Sequence, residues 1–287
     1  MGNIDRRILY LIALLVMTLP LFLKLPLPIA DNKRSLDAFD AIEKVDQSKG
    51  NQVILLSVNF SPDTKGESLP QARAMVVHML QRSKKFIIYT MSSTGVAGQQ
   101  MVDDEAKAIA AELTKQGKPR AYGKDWANMG YKPASSPILE GMARNVPGFF
   151  TKDSRGTPVD QLPVMDNIKT ADDIGMVIDV SPTASYELWI QALTSKFDIP
   201  LLLAPTSVMV PDTYPYLISG QAQGELRGVL GAAEYESLLV KNKMADQSSV
   251  GTRVMTSMAA LNAYIMILII LGNVTYFRSL RKGEVTK

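Results

Sequence analysis

The stretch from Met258 to Phe277, MAALNAYIMILIILGNVTYF, constrains this chain more than any other. It runs for twenty residues without a charge, and only Asn262 and Asn273 are strongly polar. A helix rises about 1.5 Å per residue, so these residues span roughly 30 Å, the hydrocarbon thickness of a bilayer. Arg253 precedes the run, and Arg278, Arg281 and Lys282 follow it. Tyr276 and Phe277 fall where interfacial aromatics belong. A buried core helix is the alternative, but so long an uncharged run near a terminus seldom belongs to a water-soluble domain.

A second apolar run, Ile8 to Leu23, lies behind MGNIDRR and is followed by Lys24 and the Pro-rich LPLPI. A signal peptide is the competing reading. Cleavage after Ala30 would put Pro28 three residues before the cut, where a small residue is needed, so an uncleaved anchor is expected. Lys24 can bury its stem and lift its ammonium to the headgroups. Two spans place both termini on one side. Arg6, Arg7, Arg278, Arg281, Lys282 and Lys287 nearly balance Lys24, Lys33, Arg34, Lys241, Lys243 and Arg253. The Arg pair behind the first anchor tips the expectation toward cytoplasmic termini and an extracytoplasmic domain.

Between the anchors about 230 residues remain, enough for a packed core. The formal charge is +3, and Lys and Arg are scattered without a basic stripe, so no nucleic-acid partner is expected. There are no cysteines, which excludes disulfides, thiolate metal sites and cysteine nucleophiles. His78 is the single histidine, so it cannot supply a multi-histidine zinc site. It lies mid-helix and reads as a helix-flank or core-edge residue rather than a proton carrier.

Residues 1–30 are thus read as the first anchor with its Pro-rich exit. Residues 31–52 are a linker carrying a short helix near Leu36 to Val45. Residues 53–245 are the domain, and 246–287 the second span with a short basic tail. The domain opens with Val53–Phe60, a continuous β-branched and apolar run of the kind buried on both faces of a parallel sheet. A helix near Leu69–Lys85, a strand at Phe86–Met91 and a helix near Gln99–Gln116, ended by Gly117, follow. Pro119–Tyr122 is a weak third strand. Ile138–Arg144 reads as a short helix, and Asn145–Thr170 as a long loop, with a turn of helix near Leu162–Ile168, of the kind that covers a site or a partner surface. Asp173–Val180, a helix near Ser185–Phe197, and Ile199–Ala204 complete the pattern. Strands alternating with helices predict a doubly wound α/β domain of four or five mostly parallel strands, flavodoxin- or Rossmann-like in plan. That plan transfers no function.

In such a sheet, ligands bind at the carboxyl ends of the strands. The candidate ligand-binding residues placed there are Asp63, Glu67, Ser92, Ser93, Asp125, Asp179 and Thr206. Asp63, Asp125 and Asp179 together have the oxygen chemistry for a hard cation, and the SSTG loop before a helix suits an anion. The same residue types cap helices and shape turns in any α/β loop. SSTGVAG matches neither common nucleotide-binding glycine motif. No catalytic set, metal site or cofactor is assigned.

From Ser219 the sequence places Gly220, Gly224, Gly228 and Ala232 four apart. On one helix these form a bare stripe. Each helical glycine costs about 1 kcal/mol against alanine, so close backbone approach is the expected compensation. The approach is either to the domain's own sheet or to another subunit. Nearby, Pro211–Ile218 offers Tyr and Pro, as interfaces do. The expected function is a structural or assembly subunit of a membrane complex. Its partners would be the bilayer and homo- or hetero-oligomeric membrane proteins. The alternatives are a tethered ligand-binding or sensing domain at the strand edge, and, last, a carboxylate- or metal-dependent hydrolase.

Overall fold

The computed structural model describes residues 5–23, 29–30, 32–46, 52–246 and 250–281. The chain divides into two compact units, Met1–Pro28 with Gln247–Lys287, and Ile29–Asp246. In chain order, α1 is Arg6–Leu23 and α2 is Lys33–Lys44; the α/β framework then begins with β1 (Val53–Val58), α3 (Lys65–Gln81), β2 (Phe86–Thr90) and α4 (Val96–Lys115). Next come β3 (Trp126–Tyr131), α5 (Ser136–Arg144), α6 (Val146–Phe149) and β4 (Ile174–Ser181). A helix that is α at both ends, α7 (Tyr186–Trp189) and α8 (Ser195–Phe197), carries one π turn between them. Then follow β5 (Leu201–Pro205), α9 (Val210–Ile218), β6 (Gly224–Glu225), α10 (Gly228–Lys241) and α11 (Val250–Arg281).

The six strands form one parallel sheet in the order β3-β2-β1-β4-β5-β6. Strand order therefore reverses between β1 and β4. Every residue of β1 is buried. Ile54, Leu56 and Val58 join the core beneath α2, α3, α4 and α10, while Val53 and Leu55 join the core on the opposite face. Burial on both faces is why the strand reads as an unbroken apolar run.

Three elements differ from the sequence expectation. The third strand is Trp126–Tyr131, not Pro119–Tyr122. It is an edge strand, and Asn128 and Gly130 interrupt its apolar pattern. The connection from Asn145 to Thr170 is no open loop. Besides a helical turn at Pro163–Met165, within the Leu162–Ile168 stretch where the sequence suggests one, it holds α6 and a second 3-10 turn, and it buries Phe150, Leu162, Val164 and Met165 against the sheet. The sixth strand falls where the glycine helix was expected. Gly220 is in a turn at φ +76°, Gly224 is in β6, Gly228 begins α10 at φ +51°, and Ala232 is buried inside α10. The four residues lie on three different elements, so no continuous stripe exists.

Gly224 is where β6 meets α2. A Cβ there would stand 2.4 Å from the backbone N of Ala38 and 2.6 Å from its Cα. The glycine lets α2 lie directly on β6. Helix α2 is correspondingly part of the packed unit, with Ala38, Phe39, Ala41 and Ile42 in its core. Arg34 Nη1 donates to the fully buried Glu225 at 2.6 Å, and Ser35 Oγ donates to Glu234 at 2.6 Å.

In the other unit, α1 and α11 pair antiparallel. Tyr264 donates to the Leu9 carbonyl at 3.0 Å, and Ser257 donates to the Met17 carbonyl. Pro20 is the one buried residue of α1. It lacks the N–H that would bond the Val16 carbonyl, so the last turns of α1 are short of donors beside the Ser257 hydroxyl. Both helices are long and apolar enough to cross a membrane. Lys24, Lys282 and the Pro-rich exit lie outside the described residues.

Gly224→Ala drives a methyl group into the backbone of α2. A loss of about 1–3 kcal/mol is expected, read as a lower denaturant midpoint of the full chain in mild detergent. An unchanged midpoint would mean that α2 does not rest on β6.

Candidate functional site

The reversal of strand order between β1 and β4 is where an open parallel sheet forms its crevice. Ser57 and Asp179 are register partners there, with side chains on the same face. Asp179 is 2% exposed. Its Oδ1 accepts from Ser57 Oγ at 2.9 Å, Asn59 Nδ2 at 2.9 Å and Trp189 Nε1 at 3.3 Å; its Oδ2 accepts from Ser185 Oγ at 2.6 Å. Asn59 and Trp189 also donate to Ser57 Oγ, at 2.7 and 3.2 Å. Asn59 turns its carbonyl oxygen to Thr90 Oγ1 and the Met91 N–H, which joins β2 to the network.

Burial pushes the Asp179 carboxyl from the ordinary 3.8 up to about 6, against the four donors that pull it down. A carboxylate so fully engaged has no lone pair turned to solvent. Its chemistry is to fasten β1, β4 and the start of α7 together at the crevice floor.

The other predicted residues ring this floor or stand away from it. Asp63 is in the turn after β1, where the Ser61 hydroxyl donates to it and holds its carboxyl below the ordinary value. Ser92 and Ser93 follow β2, and Ser92 Oγ meets Thr94 Oγ1 at 2.8 Å. The glycines of that loop serve packing: a Cβ on Gly95 would be 2.4 Å from Thr90 Oγ1, and one on Gly98 would be 2.1 Å from the Phe60 carbonyl. They bring the start of α4 onto the carboxyl end of β1. Glu67 Oε2 accepts from the Ser207 N–H at 2.7 Å and its hydroxyl at 2.6 Å, tying α3 to the exit of β5. Thr206 is buried beside that tie.

Asp125 is a correction. It immediately precedes β3, so it stands at the amino edge, where its carboxylate accepts the Ala121 N–H at 2.8 Å. Moving the strand by several residues moved this aspartate to the opposite end of the sheet. Asp63, Asp125 and Asp179 therefore do not converge, and among the described residues no group of three or more His, Asp or Glu is arranged to hold a metal ion.

The residues that build the floor with Asp179 are Ser57, Asn59, Ser185 and Trp189. Two signals for them exist in the sequence. Ser57 is the only polar residue inside the apolar β1, and Ser185 and Trp189 are four apart, on one helical face. A shallow groove of about 470 Å³ opens instead at the amino ends of β4 and β5, lined in part by Gln52, Asp172, Gly175, Asp198 and Pro200. Groove and polar floor thus occupy opposite edges of the sheet.

Across the sheet, His78 is completely buried and stacked on Phe39 at 4.3 Å between ring centres. Glu43 faces Nε2 at 3.1 Å, and the Tyr235 hydroxyl faces Nδ1 at 2.5 Å. A carboxylate only accepts, so Nε2 carries the proton and Tyr235 donates to Nδ1. Burial lowers the imidazole from the ordinary 6.5 to about 4, so it is neutral at pH 7. This histidine is a core residue rather than a helix-flank one.

No protein-family model matches the chain, and no curated protein matches it.

The two buried titrating groups act on stability in opposite directions. The folded form holds the Asp179 proton longer than the unfolded chain does, so this residue takes stability away as pH rises from about 4 to about 6. The folded form refuses the His78 proton, so that residue takes stability away as pH falls from about 6.5 to about 4. Each amounts to about 3 kcal/mol at 1.36 kcal/mol per pH unit. Asp179→Asn should leave stability rising across this window, and His78→Gln should leave it falling. Denaturant titrations at pH 4.5 and 6.5 read both; parallel profiles for the two variants would refute the assignment.

Proposed function

We propose that the chain is a two-span, membrane-anchored α/β subunit whose role is structural, holding together or seating a membrane protein assembly. The observation that carries this reading is the antiparallel pair of apolar helices. The chain enters the α/β unit from α1 and leaves it into α11, so both ends of the unit are tied to one hairpin. A bilayer is the solvent that suits the exposed apolar side chains of that hairpin, among them Phe22, Met266, Ile270 and Phe277. Antiparallel pairing is consistent with both termini on one side. With cytoplasmic termini, the α/β unit is extracytoplasmic.

The strand-edge chemistry agrees with a structural role. Glu67 and Asp179 are engaged in bonds that fasten elements to each other, and Asp125 caps a turn. A second reading, a tethered binding domain, draws on the exposed hydroxyls at the rim of the crevice, Ser93, Thr94 and Thr183, beside Asp63. Its ligand would be small and polar.

Alkaline washing of membranes should leave the full chain in the pellet. After extraction in a mild detergent, native mass spectrometry should find it in a particle heavier than its own 31.4 kDa. A strictly monomeric chain would overturn the assembly role. For the second reading, a thermal shift with a small polar ligand that disappears in Asp63→Ala is the expected outcome; no shift with anions, sugars or divalent ions would remove it.

A further inference from the structure

The helix α11 is longer than a bilayer requires. Its 32 residues extend about 48 Å, against roughly 30 Å of hydrocarbon. The first turns carry Thr252, Arg253, Thr256 and Ser257, which suit the interface. The uncharged run from Met258 to Phe277 suits the hydrocarbon. Both strongly polar residues of that run, Asn262 and Asn273, are exposed. Each stands about 8 Å from the run's midpoint, inside the apolar slab.

Their positions on the helix are not scattered. Asn262, Met266, Ile269, Asn273, Tyr276 and Leu280 are spaced four, three, four, three and four apart. At about 100° per residue they fall within roughly 80° of arc, the seam of a helix pair. Ser257 and Tyr264, which bond to α1, point about 200° away from Asn262. The α1 contact therefore occupies one side of α11, and the asparagines occupy the other.

An exposed carboxamide in lipid has two N–H donors and a carbonyl acceptor with no water to meet them. Its partner must lie at the same depth and must both donate and accept. We propose that this partner is the same asparagine of a second copy of the chain, so that α11 self-associates in parallel along the Asn262–Asn273 seam. All copies insert with one topology, so each asparagine meets its own counterpart at its own depth. A twofold axis then satisfies donor and acceptor together, as an isologous contact requires. Met266 and Ile269, each 58% exposed, fill the seam between the two polar layers. This inference rests on the membrane reading above and adds the partner and the contact face.

The absence of native cysteine makes a direct test available. Single cysteines are placed in the full chain and oxidised in native membranes. Met266→Cys and Ile269→Cys should give a covalent product at twice 31.4 kDa, and Leu268→Cys, on the α1 side, should not. Adding Asn262→Leu and Asn273→Leu should weaken the association by about 5- to 30-fold, read as cross-linked fraction on dilution into excess lipid. These leucines keep the span apolar, and alkaline washing checks that it stays inserted. A chain released by that wash overturns the membrane reading and the seam with it. A retained chain that yields no dimer, a dimer strongest at Leu268→Cys, or a dimer indifferent to the leucines overturns the seam alone.

Discussion

The carboxylate of Asp179 is the fastening on which the sheet's central reversal depends. Parallel strands β1 and β4 are neighbours in space but lie far apart in the chain, with two further strands and the covering segment between them. Backbone pairing joins them, and Asp179 adds a polar knot of Ser57, Asn59, Ser185 and Trp189 where that pairing ends. Through Asn59 the knot extends to β2. Removing such a carboxylate would leave several buried donors without an acceptor, which costs far more than the bonds contribute net. The crevice of this α/β fold is thus closed at its floor by internal chemistry, and its exposed polar groups stand at the rim.

The opposite face of the sheet solves a different problem. Helix α2 has to sit on a two-residue strand and beside α3 and α10, and its sequence is strongly polar. Its apolar side meets the core through Phe39 and Ile42, and two of its charged residues tie it to neighbouring elements: Arg34 to Glu225, and Glu43 to His78 and Arg82. Glu225 is completely buried and takes both Arg34 and the Thr213 hydroxyl, so α2 and α9 are secured to β6 by one carboxylate. The neutral His78 does comparable work deeper in the layer, where a charged imidazole would be expensive. Both faces therefore use buried, bonded polar groups to fix geometry, and their titrations oppose each other near pH 5.

The helical pair obeys other rules. On the membrane reading proposed above, apolar surface gives these helices no drive to associate, and hydrogen bonds and close packing decide which faces meet. The bonds from Ser257 and Tyr264 to carbonyls of α1 set one face of α11. The Met17 carbonyl reached by Ser257 lies beside Pro20, and the Leu9 carbonyl reached by Tyr264 lies near the other end of α1. Asn262 and Asn273 mark a second, exposed face of the same helix.

The alternation of strand and helix is legible in the sequence, because apolar periodicity reports burial directly. So are β1, β2, β4 and β5, the Gly117 helix stop and the two hydrocarbon-length runs. The sequence marked Asp179 as a strand-end carboxylate. It misplaced β3 and missed β6, because an edge strand such as Trp126–Tyr131 is half polar and a two-residue strand has no period. It read Gly220, Gly224 and Gly228 as one helix, since spacing alone does not distinguish a stripe from a turn, a strand and a helix start. The packed fold alone shows that Asp125 sits at the far edge and that Glu67 is occupied by Ser207. Only it showed that Ser57, Asn59, Ser185 and Trp189 converge on one carboxylate. Such convergence joins residues more than a hundred positions apart, and no local pattern of side chains encodes a meeting that the sheet order creates.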